Sequence, residues 1–316
     1  MKTKQDIPKV SVIIPVYNSG RFLEESLNSI LNQSFNNFEI IIIDNGSIDN
    51  SRDIEDKYKR KDKRIYIKKF SRPNVQKALN EGLKIARGKY IARMDADDIF
   101  LKDRFKLQVD YLDKHPEIYL IGGSAIVIDE NGEKMGSLLK GDNYKRIQKK
   151  LLKSNPLIHP SIMFRNTKEF FYRDKFVCSE DYDLYLRMLT NGKKLENIPN
   201  FLIKYRISRN SFVSTMPHQL FYFNKAKEFY FQREKFGKDD YENLKLPLKE
   251  QKQQSFDKLN LQIRIFAELQ DNRSKEIRKN IKIYFKKYGI NIQMILYYIL
   301  SFFPIKVIKF IQRNIF

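Results

Sequence analysis

The chain has 316 residues, of which 42% are hydrophobic and 31% charged, so its composition excludes disordered and fibrous proteins. Against 38 acidic residues stand 60 lysines and arginines, and the formal net charge of +22 indicates an anionic partner: nucleic acid, an acidic lipid surface or phosphorylated small molecules. The single cysteine, Cys178, excludes an internal disulfide framework and is typical of a reducing compartment.

The start of the chain and its apolar segments predict a cytoplasmic protein. Residues 1–9 are polar and lead directly into a strand, which is not the pattern of a signal peptide. We also find no apolar stretch of the roughly 18 to 20 residues that a membrane-spanning helix needs.

The first third of the chain alternates strands with helices. Short β-branched or apolar runs predict four strands, over Val10–Val16, Ile40–Ile43, Arg64–Lys68 and Tyr90–Met94. Three segments show helical spacing: one between the first two strands, one over Val75–Ala86 and one over Asp103–Lys114. This alternation predicts an α/β fold with a mostly parallel sheet covered by helices on both faces.

The remaining chain predicts an extension of this domain and then a helical region. Ile118–Ile128 reads as a strand, Asn131-Gly132 as a turn, and residues 180–189 as a helix. We therefore expect one catalytic domain over residues 1–215. From Gln219 onward, aromatic residues and lysines recur at helical spacing, so residues 216–316 are expected to form a helical, basic C-terminal region.

Polar clusters follow the predicted strands, at the sheet edge where α/β proteins bind ligands. The first strand ends at Pro15, and Tyr17 after it offers a ring that can stack on a nucleobase. The second strand ends in Asp44-Asn45, whose side chains can read the edge of a base or form a turn. No glycine-rich phosphate loop follows the first strand, which argues against kinases, NTPases and dehydrogenases.

Two further acidic clusters are candidates for the chemistry. Asp95, Asp97 and Asp98 follow the fourth strand, and such oxygen ligands suit Mg²⁺ or Mn²⁺, although a solvated loop also fits. Glu180 and Asp181 open a predicted helix, where a carboxylate can serve as a general base or simply favour the helix start.

The order and spacing of these motifs resemble the family 2 glycosyltransferases of GT-A fold, of the kind that build bacterial capsule and O-antigen polysaccharides. The resemblance covers residues 8–215. It rests on five segments: VSVIIPVYN (10–18), IIIIDNGSIDNS (40–51), ALNEGLKIARGKYIARMDADD (78–98), HPSIMFR (159–165) and EDYDLYLR (180–187).

The resemblance implies a role for each candidate residue. Asp181 would be the catalytic base, with Glu180 beside it, and Asp97 would bind the divalent metal, Mn²⁺ or Mg²⁺. The nucleotide-binding residues would be Pro15, Tyr17, Asp44, Asn45 and Asp95. The basic residue that many relatives carry ahead of the third helix is missing here, where Ala78-Leu79-Asn80 stands, so Lys77, Arg72 or Arg93 is the candidate phosphate contact. His159 and Asp98 would lie at the acceptor side, although a histidine bonded to the protein itself is the commoner situation.

The implied reaction is inverting transfer of a hexose or N-acetylhexosamine from a nucleotide sugar, with UDP expected, to a hydroxyl of a lipid-linked glycan. The chain departs from many relatives at Asn45, where they carry an acid, and at Ser208, where they often carry a histidine. A sugar nucleotidyltransferase or a non-catalytic scaffold on a degenerate transferase domain are the alternatives.

The basic C-terminal region bears on where the protein acts. Its last 44 residues hold ten basic side chains and one acidic side chain, and the uncharged run Met294–Ile305 lies among them. Such a run suits an interfacial helix better than a nucleic-acid surface. We expect peripheral attachment to the anionic inner face of the cell membrane and no nucleic-acid partner; packing on the catalytic domain or a dimer contact is the alternative.

Overall fold

The computed structural model describes residues 7–208, 219–245, 256–304 and 307–308, without the side chains of residues 256, 257, 259 and 260. Its strands are β1 (Val10–Val16), β2 (Phe38–Asp44), β3 (Ile65–Lys69), β4 (Tyr90–Arg93), β5 (Ile99–Phe100), β6 (Ile118–Ile128), β7 (Lys134–Leu138), β8 (Met163–Arg165) and β9 (Lys194–Arg206). Its α-helices are α1 (Leu23–Leu31), α2 (Ser51–Lys61), α3 (Val75–Ile85), α4 (Arg104–Lys114), α5 (Tyr144–Leu151), α6 (Glu180–Thr190), α7 (Gln219–Phe236), α8 (Phe256–Gln270), α9 (Ser274–Tyr288) and α10 (Ile292–Leu300). Short 3-10 helices lie at His159–Ser161 and Tyr241–Asn243.

The strands of the described residues form one sheet, in the order β3-β2-β1-β4-β8-β6-β9-β5, with β7 paired to β6. The first four of these strands run parallel, so the predicted parallel arrangement is confirmed for them. β8 then pairs antiparallel with both β4 and β6. The carboxyl ends of β1, β2 and β4 therefore meet at one edge of the sheet.

The central strands are built from continuous apolar runs because helices cover both of their faces. Every residue of β2 is buried, and so is every residue of β1 except Pro15, which is half-buried. α3 lies so close to β1 that a Cβ on Gly82 would stand 2.5 Å from the Ile13 side chain. A glycine at this position therefore allows the helix to lie directly on the sheet.

The predicted strands and helices of the first third are confirmed, with ends that differ by one or two residues. β9 was not predicted, because Pro199 and Asn200 lie in the middle of this strand, which spans residues 194–206. Proline removes a backbone donor and normally argues against a strand interior. The Asn131-Gly132 turn is confirmed, since Gly132 adopts φ +84° in the β6–β7 hairpin.

The chain forms two compact units, the first comprising Met1–Ser124, Lys140–Ile203 and His218–Lys249. This division assigns α7 to the first unit, whereas the sequence suggested a boundary between residues 215 and 216. The reason is aromatic packing: the Phe223 ring stacks on Tyr182 of α6 at 4.1 Å, and Tyr222 packs beside Phe176. Helical periodicity alone does not show which partner an aromatic face covers.

The second unit comprises Ala125–Leu139, Lys204–Pro217 and Glu250–Phe316. α8 packs on β7 so closely that a Cβ on Gly136 would lie 2.6 Å from Ala267. Helices α8, α9 and α10, together with Ile308, share a hydrophobic core. Its buried residues are Ile265, Leu269, Ile277, Ile281, Tyr284, Met294, Tyr297, Leu300 and Ile308. Among the described residues, no helix has both the length and the apolar character that crossing a bilayer requires.

Candidate active site at the carboxyl ends of the parallel strands

The loop after β4 gathers three carboxylates. One oxygen of each of Asp95, Asp97 and Asp98 lies within 4.8 Å of the others; Asp98 is fully buried, and the other two are partly exposed. The loop is held in place by Ser26 of α1, whose hydroxyl donates to the carbonyl oxygens of Ala96 at 2.8 Å and Asp98 at 2.6 Å. The acidic cluster is therefore part of a fixed turn at the end of the strand.

Two buried guanidinium groups partly balance this acidic charge. Arg93 is 6% exposed and forms an ion pair with Asp95. Burial opposes its charge, but Asp95 and other neighbours raise the pKa of Arg93 above its ordinary value. Arg104 is fully buried, and burial lowers the pKa of its guanidinium well below its ordinary range, although Asp98 acts in the opposite direction.

These donors and charges fit a divalent cation. The oxygens of Asp95, Asp97 and Asp98 are close enough to share an ion. Hard cations such as Mg²⁺ and Mn²⁺ typically take one or two carboxylates and complete their shell with water and substrate phosphates. Asp97 therefore remains the candidate metal ligand, with Asp95 beside it.

The Asp44 carboxylate is used within its own loop. Asp44 is fully buried at the end of β2, and its Oδ1 accepts hydrogen bonds from the backbone N–H groups of Gly46 at 2.9 Å and Ser47 at 2.7 Å. Its Oδ2 accepts from Nε of Arg52. Gly46 adopts φ +88°, a conformation that favours glycine. Asp44 shapes the loop after β2, and its oxygens are not directed to solvent.

Asn45 joins this loop to the start of α3. Its backbone N–H donates to the carbonyl of Val16 at 2.7 Å, and its Oδ1 accepts from the backbone N–H of Asn74 at 2.7 Å. The orientation of the carboxamide is fixed by this last bond, since a backbone N–H requires an acceptor. Its Nδ2 group forms no hydrogen bond with the residues that the structure describes.

The loop after β1 forms the adjoining wall. Asn18 adopts φ +47°, its Oδ1 accepts from the N–H of Ile48 at 2.9 Å, and its N–H donates to Ser47 Oγ at 3.1 Å. Next to it, Tyr17 is 50% exposed, so its ring is accessible to a planar ligand, while Pro15 is half-buried at the end of β1. The two loops that the sequence singled out are thus bonded to each other.

Glu180 and Asp181 form the first turn of α6. They follow Ser179, which holds the left-handed conformation at φ +59°, a strained arrangement of the kind that often occurs at functional sites. Asp181 Oδ2 accepts a hydrogen bond from Asn155 Nδ2 at 2.8 Å, and Oδ1 accepts from the N–H of Tyr182 at 2.7 Å. These two bonds fix the carboxylate.

The two acids differ in their protonation. Burial, and after it the charge of Asp181, raises the pKa of Glu180 to about 8. Burial also raises the pKa of Asp181, but the bonds from Tyr182 and Asn155 and the charge of Arg93 oppose the shift. Burial therefore favours a proton on Glu180, whereas the bonds from Tyr182 and Asn155 and the charge of Arg93 favour the ionised form of Asp181.

Arg93 is the common electrostatic neighbour of the β4 and α6 clusters. Its charge acts against the rise that burial causes in the pKa of Glu180 and Asp181. For the nearby His159 it acts in the same direction as burial, and both lower the pKa. The Nε2 atom of His159 lies 2.8 Å from the hydroxyl of Tyr172, and burial, together with Arg93, holds the pKa of His159 well below its ordinary value. His159 is therefore a neutral ring within this cluster.

The structure thus joins Arg93, Asp95, His159, Glu180 and Asp181 in one electrostatic cluster. Arg93 was predicted as a candidate phosphate contact. In the structure it is buried and forms an ion pair with Asp95, so its charge lies between the carboxylates after β4 and those at the start of α6.

Three other residues of the site could not be predicted from the sequence. Arg104 donates to the carbonyl oxygens of Pro160 at 2.7 Å and of Ile162 and Arg93 at 3.1 Å, so it fixes the backbone on both sides of the cluster. Asn155 and Tyr172 hold Asp181 and His159, respectively. None of these three belongs to a motif with recognisable spacing.

Comparison with known proteins gives a consistent family assignment. The model of the family described as "Glycosyl transferase family 2" matches residues 11–171. The chain is 37% identical over 230 residues to an uncharacterized glycosyltransferase of Methanocaldococcus jannaschii, covering 70% of this chain and 79% of the relative. It is 33% identical to the O-antigen biosynthesis glycosyltransferase WbnJ of Escherichia coli, covering 64% and 81% of the two chains. With the amylovoran biosynthesis glycosyltransferase AmsE of Erwinia amylovora the identity is 32%, over 62% and 75%.

Solved structures share the fold. TarS residues 1–349 of S. aureus, crystallised with UDP-GlcNAc, superpose with a TM-score of 0.58 at 18% sequence identity, covering 97% of this chain and 92% of TarS 1–349. The complex of the same protein with UDP gives a TM-score of 0.55. The α/β architecture with its flanking helices is that of the GT-A glycosyltransferases, as the sequence predicted.

Proposed function

Because the chain belongs to glycosyl transferase family 2, we propose that it transfers a sugar from a UDP-sugar to a hydroxyl group of a glycan, with inversion at the anomeric carbon. The observation that carries the proposal is the pair at the start of α6: the Asp181 carboxylate, held by bonds from Asn155 and Tyr182, beside the buried Glu180, whose pKa burial raises to about 8. A base held in this way suits the removal of one proton from an attacking hydroxyl.

The bond changes of the proposed reaction balance as a single displacement. The acceptor oxygen forms a bond to the anomeric carbon, the bond from that carbon to the diphosphate oxygen breaks, and the electron pair leaves with the nucleoside diphosphate. The acceptor proton passes to the carboxylate of Asp181. Arg93 favours the ionised state of Asp181 before the reaction, because a nearby cation stabilises a carboxylate.

The donor half of the site rests on the loops after β1 and β2. The exposed ring of Tyr17 offers a stacking surface for a nucleobase, and the Nδ2 group of Asn45 offers a hydrogen bond to a carbonyl of its edge. The binding of UDP and UDP-GlcNAc by TarS, which has the same fold, supports a uridine donor. A divalent cation held by Asp97 and Asp95, Mn²⁺ or Mg²⁺, would supply positive charge for the leaving diphosphate.

The names of two relatives support a proposal for the acceptor class. WbnJ is named for O-antigen biosynthesis and AmsE for amylovoran biosynthesis, so we propose a growing surface polysaccharide, carried on a lipid, as the acceptor. His159 and Tyr172 lie beside the catalytic pair and are candidates for the acceptor side.

The experiment is a panel of UDP-sugars assayed for UDP release with wild type and two matched variants. Asp181→Asn removes the base, and we expect the rate to fall about 10²- to 10⁴-fold. Glu180→Gln copies the protonated acid, so the rate should stay within about tenfold of wild type. Equal rates for Asp181→Asn and wild type would refute the assignment of the base. UDP binding without turnover of any sugar would favour the scaffold alternative.

A further inference from the structure

The second unit presents an apolar edge that its own core does not cover. α10 buries Met294, Tyr297 and Leu300 against α8 and α9. Its opposite side and the segments before and after it remain exposed: Ile290, Ile292, Ile299, Phe302 and Phe303. Of these, Ile290 and Ile292 are about 80% exposed, and Phe302 is 63% exposed. Side chains of this size are costly to leave in water.

Basic side chains lie on the exposed face of the preceding helix. Lys275, Lys279, Lys282 and Lys286 recur three or four residues apart on α9 and are all exposed, so they share one side of the helix. The other side of α9 is buried, through Ile277, Ile281 and Tyr284. From Arg273 to Pro304 there are seven basic residues and one acidic residue, Glu276, so this stretch carries a net charge of +6.

One contact ties the basic and the apolar parts together. The guanidinium of Arg278 on α9 donates to the carbonyl oxygen of Ser301 at 3.1 Å and lies 4.6 Å from the centre of the Phe302 ring. A cation above an aromatic face is an attractive arrangement. The basic face of α9 and the apolar residues around α10, together called the α9–α10 face, are thus fixed to each other.

We propose that the α9–α10 face binds the surface of an anionic lipid bilayer, with its apolar side chains in the headgroup layer and its lysines on the lipid phosphates. The positive charge of the α9–α10 face, together with its apolar side chains, favours an anionic bilayer over a second copy of the chain or a nucleic acid. A second copy of the chain would bring two lysine-rich faces together, since no acidic residue follows Glu276 in the sequence. A nucleic acid would match the lysines, but it would leave the isoleucines and phenylalanines without a role.

This inference goes beyond the proposed transferase chemistry and is tested apart from it. Binding to the bilayer would place the enzyme on the same surface as a lipid-linked acceptor. Vesicle binding is measured without any sugar donor, so its failure and the failure of the proposed reaction are distinguishable.

The first experiment exploits the absence of tryptophan from the chain. The full-length variant Phe302→Trp carries one indole on the α9–α10 face, and Phe236→Trp carries one at an equally exposed position of the first unit. Both are mixed with vesicles of pure phosphatidylcholine or with 30% phosphatidylglycerol. We expect a blue shift of the emission only for Phe302→Trp and only with the anionic vesicles.

The second experiment distinguishes binding through the α9–α10 face from binding that depends only on the net charge of the protein. Lys279→Gln, Lys282→Gln and Lys286→Gln are combined in one protein, and a control protein replaces the exposed lysines at 59, 61 and 63 in the same way, so both lose three charges. Each lysine near an anionic surface contributes roughly a fivefold gain in binding. We expect co-sedimentation with anionic vesicles to weaken about 100-fold in the first protein and much less in the control.

Three results would overturn the proposal. The first is binding that is equal for neutral and anionic vesicles or absent from both. The second is equal weakening by the two triple variants, which would leave net charge as the explanation. The third is a dimer in sedimentation velocity that Phe302→Trp or Ile299→Ser dissociates, because it would identify a second copy of the chain as the occupant.

Discussion

The buried acid Glu55 gives a prediction whose size follows from the structure. Glu55 lies on α2, is fully buried, and neither of its carboxyl oxygens has a hydrogen-bond partner among the described residues. Burial, and then the charge of Asp44, raises the pKa of Glu55 from 4.5 to about 8. The nearby cations Lys69 and Arg52 act in the opposite direction without cancelling the shift.

A raised pKa means that the folded protein holds this proton more tightly than the unfolded chain does. The stabilisation is therefore fully present below pH 4.5 and is lost as the pH rises through 8. With these two values, the linkage relation gives about 3 kcal/mol of stability lost at pH 7 relative to acidic solution. Glu55→Gln cannot ionise, but it leaves an amide buried, so we expect it to recover about 2 kcal/mol at pH 7.

The measurement is urea unfolding of wild type and Glu55→Gln between pH 4.5 and 8. The stability of the variant relative to wild type should rise with pH, from slightly less stable at the acidic end, where only the buried amide counts, to about 2 kcal/mol more stable at pH 7. Asp56→Asn on the same helix is the matched control: its carboxylate is half-exposed and pairs with Lys69 at 3.0 Å, so we expect a change within about 0.5 kcal/mol. A constant difference between Glu55→Gln and wild type at every pH would refute the reasoning.

Three further predictions concern the site. Arg93→Met removes a cation that favours ionised Asp181, so the acidic limb of the kcat/KM profile against pH should move to higher pH, and Arg93→Lys should restore part of the original position. An unmoved limb would exclude this role. Asn45→Ala leaves the N–H of Asn74 without its acceptor, and urea unfolding should show a loss of about 1 to 2 kcal/mol that Asn45→Asp avoids; equal losses would contradict it. Arg104→Met leaves three backbone oxygens without their donor, and we expect a loss of about 3 to 5 kcal/mol, or failure to fold, in the same assay; wild-type stability would show that the buried arginine is dispensable.

The sequence predicts the sheet well because its central strands are buried on both faces. β1 and β2 read as continuous apolar runs for that reason, and the acids after β4 mark the edge where ligands bind. β9 could not be found in the same way, since Pro199 interrupts its pattern. The fold is therefore predictable where every successive residue of a strand is buried and must be apolar.

The site is less predictable because its bonds join residues that are distant in sequence. Asn155 holds Asp181 across 26 residues, and Arg104 reaches carbonyl groups up to 58 residues away. No local period records such a contact. Asp44 shows the opposite problem: its motif was recognised, but whether a carboxylate faces a ligand or its own loop depends on which neighbours donate to it.

The most direct test of the account is calorimetric titration of UDP, with and without Mn²⁺, into wild type, Asp97→Ala and Asp181→Asn. We predict UDP binding that depends on the metal, is lost in Asp97→Ala and is retained in Asp181→Asn, because we propose Asp97 as the metal ligand on the donor side and Asp181 as the base on the acceptor side. Absence of UDP binding under every condition, or equal binding by Asp97→Ala and wild type, would contradict the proposed donor site.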